Sequence, residues 1–293
     1  MPDRSPAPHL PDAVDRVSAS VVGLVTRRHR SSGVLWRDGV IVGSASALWR
    51  AGSATVVLPG GETVAGELRG VDGGTDLAAV VCPGARLPVV DRVAAAEPRV
   101  GEFVFAVGRN PAGEVHASVG HVGAAGGPWR TWRGGAVDRL IRLDGGLYPG
   151  LDGGPVADGD GRVLGVASSG LSRHHGVVLP VATVDRVLDA LLAHGRVPQG
   201  YLGVAAQPVR TTQDGTPVDG LLVSSVAADG PGARGGLLVG DVITQLDGEP
   251  VASLDALRGA LRVGAEVAVQ VVRGGQGLAL TLTVAERPAS RCG

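Results

Sequence analysis

The chain has 293 residues, a formal net charge of −1 and 44% hydrophobic residues. That length accommodates two domains with ample cores, and the near-neutral balance excludes a polyanion-binding design for nucleic acid or an anionic membrane surface. With 48 Gly and 19 Pro among short Val-rich runs, the composition reads as mainly β with many tight turns.

Residues 1–16 are polar and Pro-rich and read as a disordered N-terminal tail. They lack the apolar core of a signal peptide, and no run is long enough to span a bilayer. As given, the chain reads as cytoplasmic; a secreted or envelope form would need a missed upstream start. From Val17, β runs broken by Gly follow at Ser20–Val25, Gly33–Trp36, Val40–Gly43, Ala54–Leu58, Thr63–Gly70 and Ala78–Val81. A second set comes at Phe103–Val107, Glu114–Val122, Leu140–Leu143, Val163–Ala167 and Gly176–Val181. About a dozen closely spaced strands predict two small antiparallel barrels. Thr183–His194 places Val184, Val187, Leu188, Leu191 and Leu192 on one helical face, with Gly195 as C-cap. Thus 17–196 reads as one domain, 197–288 as another, and 289–293 as a tail. In the second domain strands are predicted at Gly203–Ala206, Leu221–Val226, Val242–Leu246, Glu266–Arg273 and Gly277–Val284, and a helix at Ser253–Leu261 with Ser253 as N-cap.

Every basic residue is Arg, scattered along the chain, which reads as the coding bias of a GC-rich genome rather than a binding face. Cys82 and Cys292 read as two unpaired thiols, neither a disulfide framework nor a metal site. No cofactor or metal is implied.

The blocks Ser32-Gly33-Val34, Gly39 to Leu48, Thr75 to Val80, Gly101 to Gly108 and Tyr148 to Pro155, followed by Gly200 to Val204 and Gly230 to Leu237, are similar in order, over roughly Val17 to Glu286, to those of the HtrA (Deg) branch of trypsin-like serine proteases followed by one PDZ domain. Ser32-Gly33-Val34 resembles a first-barrel strand of that family. Gly39 to Leu48 resembles the block holding the general base, with Ser46 at the histidine position. Thr75 to Val80 resembles the block holding the orienting acid, so Asp76 matches. Gly101 to Gly108 resembles the strand that opens the second barrel. Tyr148-Pro149-Gly150-Leu151-Asp152-Gly153-Gly154-Pro155 resembles the Gly-Asn-Ser-Gly-Gly-Pro nucleophile loop, with Asp152 on the serine and Gly150 at an oxyanion-hole position. The resemblance implies a chymotrypsin-like double barrel, a trailing helix and a PDZ fold.

Acyl transfer in this geometry needs a nucleophile, a base and a group that orients the base. Only Asp76 of the three is kept. The Ser46 hydroxyl is not a base at neutral pH, and a carboxylate at 152 would oppose the developing oxyanion by about 4 kcal/mol at an effective dielectric of 20, roughly a thousandfold in rate. Asp76 then reads as a turn cap or an acceptor of backbone N–H, and a direct Ser46–Asp76 hydrogen bond as a leftover of the lost pair. Of His9, His29, His116, His121, His174, His175 and His194, the His174–His175 pair falls in the loop after Ser168-Ser169-Gly170 and is the one weighed as a substitute base against a solvated turn.

In the PDZ-like part, Gly200-Tyr201-Leu202-Gly203-Val204 resembles the carboxylate-binding loop, and Gly230 to Leu237, Gly240 to Ile243 and Asp247 to Val251 resemble further blocks. Such domains add a peptide C-terminus to a sheet edge. Here Tyr201, Leu202, Gly203 and Val204, strand Val204–Gln207, and Leu254, Leu257, Arg258 and Leu261 on the helix would hold it, although some leucines must fill the core. The expected function is a catalytically inactive homologue that binds C-terminal peptides or unfolded segments. The alternative is an active endopeptidase of protein quality control with a non-standard site. A homotrimer or a mixed oligomer with an active paralogue is the further partner expectation.

Overall fold

The computed structural model describes residues 10–49, 51–93, 97–172, 174–213 and 215–288. Chain contacts divide the molecule between Val197 and Pro198 into two units.

The first unit opens with helix α1 (Leu10–Ser18), where the sequence predicted a tail through residue 16. Leu10, Ala13, Val14 and Val17 fall on one face at helical spacing. Ala13 and Val17 are buried in the main core, and Arg16 donates to the Asp160 carbonyl at 3.0 Å. Packing of that face, not local propensity, orders the segment.

Strands β1 (Val21–Val25), β2 (Arg30–Arg37), β3 (Val40–Ser44), β4 (Ser53–Val57), β5 (Thr63–Asp72) and β6 (Leu77–Val81) close a barrel in the order β1-β2-β3-β6-β5-β4. A one-turn helix α2 (Ala45–Leu48) follows β3. Val22, Leu24, Leu35, Ile41, Val56 and Val80 fill this barrel. The second barrel contains β7 (Phe103–Arg109), β8 (Val115–Gly126), β11 (Leu140–Leu143), β12 (Pro155–Asp158), β13 (Val163–Ser168) and β14 (Val177–Pro180), ordered β11-β14-β13-β12-β7-β8. The short pair β9 (Trp129–Arg130) and β10 (Ala136–Val137) lies between β8 and β11. Val104, Ile141, Leu151, Val156 and Val178 fill it. Residues of the opposite strand faces, among them Val21, Trp36, Val42, Phe105, Val107 and Leu179, form a third core that also takes the apolar stripe of α3 (Val181–His194). Gly195 caps α3 in the left-handed region at φ 71°, its N–H donating to Leu191 O.

The second unit is a six-stranded sheet with helices. β15 (Gly200–Tyr201) pairs β22 (Ala285–Glu286) separately. The sheet runs β16 (Val204–Gln213), β17 (Thr216–Val226), β18 (Val242–Leu246), β20 (Glu266–Arg273) and β21 (Gln276–Thr283), with β19 (Glu249–Pro250) on β18. Helices α4 (Pro231–Arg234) and α5 (Leu254–Ala260) complete it. Ser253 caps α5, accepting from Ala256 N–H at 3.1 Å. The β16–β17 hairpin is much longer than its hydrophobic runs predicted.

Candidate functional site

The turn between β5 and β6 presents Asp76, which is 1% exposed and held at φ 59°. That left-handed conformation is uncommon for a residue with a Cβ. The neighbouring Asp72 carboxylate fixes the turn by accepting from Gly74 N–H at 3.2 Å and from the Thr75 N–H and hydroxyl at 3.0 and 2.6 Å. Asp76 is saturated in turn. It accepts from Ser46 N–H at 2.8 Å and from the Ser168 hydroxyl at 2.6 Å. The Ser44 hydroxyl lies 3.3 and 3.2 Å from its two oxygens. The expected direct Ser46–Asp76 hydrogen bond is present, made by the backbone of Ser46. The Ser46 hydroxyl pairs instead with that of Ser44 at 2.8 Å.

The loop between β11 and β12 carries Gly150 and Asp152. Leu151 is fully buried in the second barrel and anchors it. Gly150 at φ 93° and Gly153 at φ 80° give the chain its sharp path. β2 clamps the loop from the other barrel. The Ser32 hydroxyl donates to Gly150 O at 2.6 Å and accepts from Arg109 N–H at 2.9 Å, and Ser32 N–H donates to Asp152 O at 3.0 Å.

The Asp152 carboxylate accepts from Ser169 N–H at 2.6 Å and from the Ser169 hydroxyl at 2.7 Å. Burial pushes its pKa above the ordinary carboxylate value; the Ser169 bonds oppose that rise, and the negative Asp76 adds to it. The next residue, Gly170, lies against the other carboxylate. A Cβ on it would stand 2.8 Å from Asp76 Oδ2 and 3.2 Å from Ser46 Oγ. Backbone therefore fills the space beside Ser46 and Asp76.

None of the histidines meets these groups through a described hydrogen bond. His174 and His175 donate backbone N–H to Ser172 Oγ at 3.5 and 3.3 Å. His121 pairs with Asp144 at 3.5 Å. His29 and His194 lie at the surface and at the end of α3, and His9 is outside the described residues. His116 is the histidine beside the loop, and sequence reasoning gave it no role. It pairs Gly108 across β7 and β8, and a Cβ on Gly150 would stand 3.1 Å from its Nε2. That nitrogen is buried without a hydrogen-bond partner, and burial pushes the imidazole pKa down. Only the strand register, with a glycine opposite, could have revealed it. Among the described residues no group of His, Cys, Asp or Glu has the makings of a metal site.

In the second unit, Leu202, Leu257 and Leu261 belong to the buried core, and Val204, Leu254 and Ala206 pack partly buried against it. Tyr201 is half-buried. Arg258 is exposed, 3.9 Å from Asp255. The Leu202 and Gly203 carbonyls accept from Gly232 and Ala227 N–H, while their own N–H groups make no backbone hydrogen bond among the described residues. Gly203 reaches φ 75°, turning the chain into β16 at the sheet edge.

The profile of the trypsin-like peptidase domain matches residues 31–166, and that of the PDZ domain matches residues 200–284. The chain is an HtrA/DegP-type homologue. It is 33% identical over 280 residues to a probable periplasmic serine endoprotease DegP-like of Halomonas elongata, covering 91% of this chain and 58% of that one. A protein of the same description from Pseudomonas fulva is 32% identical over 268 residues, with 87% and 55% covered. The chain thus spans little more than half the length of these curated relatives. Among solved structures, the HtrA-type protease AlgW with tripeptide superposes with a TM-score of 0.78 at 28% identity, covering 98% of this chain and 100% of that one. The serine endoprotease from Yersinia pestis gives 0.77 at 27% identity, with 94% and 97% covered. The relatives are named periplasmic, which fits the secreted or envelope alternative. No described helix is long and apolar enough to cross a membrane.

Proposed function

We propose that this HtrA-like chain is a pseudoprotease, an inactive protease-like scaffold that binds the C-termini of partner proteins through its PDZ domain. In this reading Ser46 and Asp152 stand where the family's base and nucleophile would be, and Asp76 is the one triad position kept. The observation that carries it is that neutral serines and backbone amides, not a base, surround the two carboxylates. Asp76 accepts from Ser46 N–H and the Ser168 hydroxyl, and Asp152 is engaged by the amide and hydroxyl of Ser169. A neutral hydroxyl cannot take a proton there, and the negative side chain at 152 opposes an oxyanion beside Gly150. The N–H groups of Leu202 and Gly203, which make no backbone hydrogen bond among the described residues, the partly buried Val204 and Leu254, and the edge position of β16 support the peptide-binding part. An envelope location follows the naming of the relatives.

The test is incubation of the purified chain with casein, paired with titration of peptides that end in valine as free acid or as amide. No cleavage, together with binding of the acid only, is expected. Cleavage by the natural chain, abolished by His116→Ala or His175→Ala, would overturn the reading in favour of an active endopeptidase with a non-standard base. The relatives' names support that second reading. Equal binding of acid and amide would remove the C-terminal part.

A further inference from the structure

We infer that Pro208 ends the strand that a bound peptide can add to β16, so that peptide residues upstream of that point gain no backbone hydrogen bond from this edge. The inference rests on the C-terminal peptide reading above and names the part of the ligand that is recognised.

Among the described residues, β16 is the edge strand of its sheet and pairs with β17 alone. Its register runs to the pair Gln213–Thr216, which flanks a two-residue connection. In such a hairpin the flanking pair exchanges both backbone hydrogen bonds. Counting back by twos, residues 213, 211, 209 and 207 aim their N–H and C=O at β17. Residues 212, 210, 208 and 206 aim theirs at the open edge. The register shift at Ala205/Ala206 skips Ser224 on β17, so the alternation along β16 continues. Ala205 then faces β17, in keeping with the Ser224 hydroxyl bond to its carbonyl at 3.2 Å. Val204, Ala206 and Pro208 therefore face the groove in sequence. Proline tolerates this place because its missing donor points away from the sheet.

A peptide whose carboxylate meets the Leu202–Gly203 N–H groups must run antiparallel to β16. Its last residue lies beside Val204, and its third-from-last lies opposite Ala206, where both hydrogen bonds can form. The fifth-from-last lies opposite Pro208. There the peptide carbonyl finds no donor, and the proline Cδ stands where the hydrogen would be. The helix that flanks the groove gives the same limit independently. α5 packs beside β16 and has 7 residues. At ~1.5 Å per residue it covers about three residues of an extended peptide at ~3.3 Å each.

The experiment is a calorimetric titration of the full chain and of Pro208→Ala with a valine-ending tetrapeptide, and with an octapeptide carrying the same last residues, both as free acids. The natural chain should bind the two within about twofold of each other. Pro208→Ala should leave the tetrapeptide unchanged and tighten the octapeptide by about fivefold, the value of one recovered hydrogen bond. An octapeptide that binds the natural chain tenfold tighter than the tetrapeptide would overturn the inference. So would a Pro208→Ala change that affects both lengths equally. If the tetrapeptide acid binds no better than its amide, the C-terminal reading fails first and takes this inference with it.

Discussion

Two carboxylates, Asp241 in the second unit and Asp152 in the first, are held away from full contact with water and are treated differently. Asp241 in the second unit is 1% exposed and faces the Arg273 guanidinium at 2.7 and 2.8 Å and Leu238 N–H at 2.8 Å. Burial alone would raise its pKa; Arg273 and the amide outweigh burial and lower it. Asp152 in the first unit is half-buried and meets the amide and hydroxyl of Ser169. Burial prevails there and the pKa rises. A buried charge opposed by a bidentate cation holds structure together, whereas one opposed by a neutral serine is tolerated rather than favoured. The second unit is thus built around its charge. The first sets the Asp152 charge against a neutral serine instead.

The sharpest way to break this comparison is Arg273→Ala. It leaves Asp241 buried without its cation and should cost about 3 kcal/mol in denaturant unfolding of the second unit. The natural ion pair contributes fully above the unfolded pKa of an aspartate, and its contribution is lost as pH falls through the depressed folded value. The variant should therefore lose that acid sensitivity. A cost well under 1 kcal/mol would mean that Asp241 is better solvated than its burial implies.

A middle effect is expected from Ser46→His. A Cβ at Gly170 would stand 3.2 Å from Ser46 Oγ, and the larger ring at 46 is expected to press on that neighbourhood at a cost of about 2 kcal/mol. Adding Asp152→Ser, which releases Ser169, should relieve part of it, and the shortfall from additivity measures the coupling of the two positions. Strictly additive effects in a double-mutant melting series would show that the two halves of the site are independent.

The smallest effect belongs to Asp152→Asn. The raised folded pKa means that the folded state takes up the proton more readily than the unfolded chain. The charged form therefore destabilises above the folded pKa, and that penalty fades as pH falls through it. The asparagine variant should melt higher at neutral pH by on the order of 2 °C, with the difference shrinking in acid. A lower melting temperature at neutral pH would instead make the ionised carboxylate a net clamp on the loop.

Much of the barrel architecture was readable because each strand is short, Val-rich and bounded by glycine. β11 lies at its expected bounds, and most others lie within a few residues of theirs. β12 escaped because four residues opening with a proline carry no alternation, and it exists through pairing on both sides with β7 and β13. The polar half of the β16–β17 hairpin escaped because an exposed two-stranded ribbon needs no apolar pattern. α1 was hidden behind a Pro-rich start, and only its packing gives its stripe of Leu10, Ala13, Val14 and Val17 a purpose.

The sequence by itself determined which chemical groups are available: a hydroxyl at 46, carboxylates at 76 and 152, and no histidine beside them along the chain. Side-chain chemistry is local, and its identity needs no coordinates. Tertiary structure alone decided how those groups are satisfied. Asp76 is saturated by residues from β3, α2 and β13, Asp152 by Ser169, and His116 is brought to Gly150 by strand register. Each of those contacts joins residues distant in sequence, and the closure of the barrels, which no local pattern encodes, sets their distances.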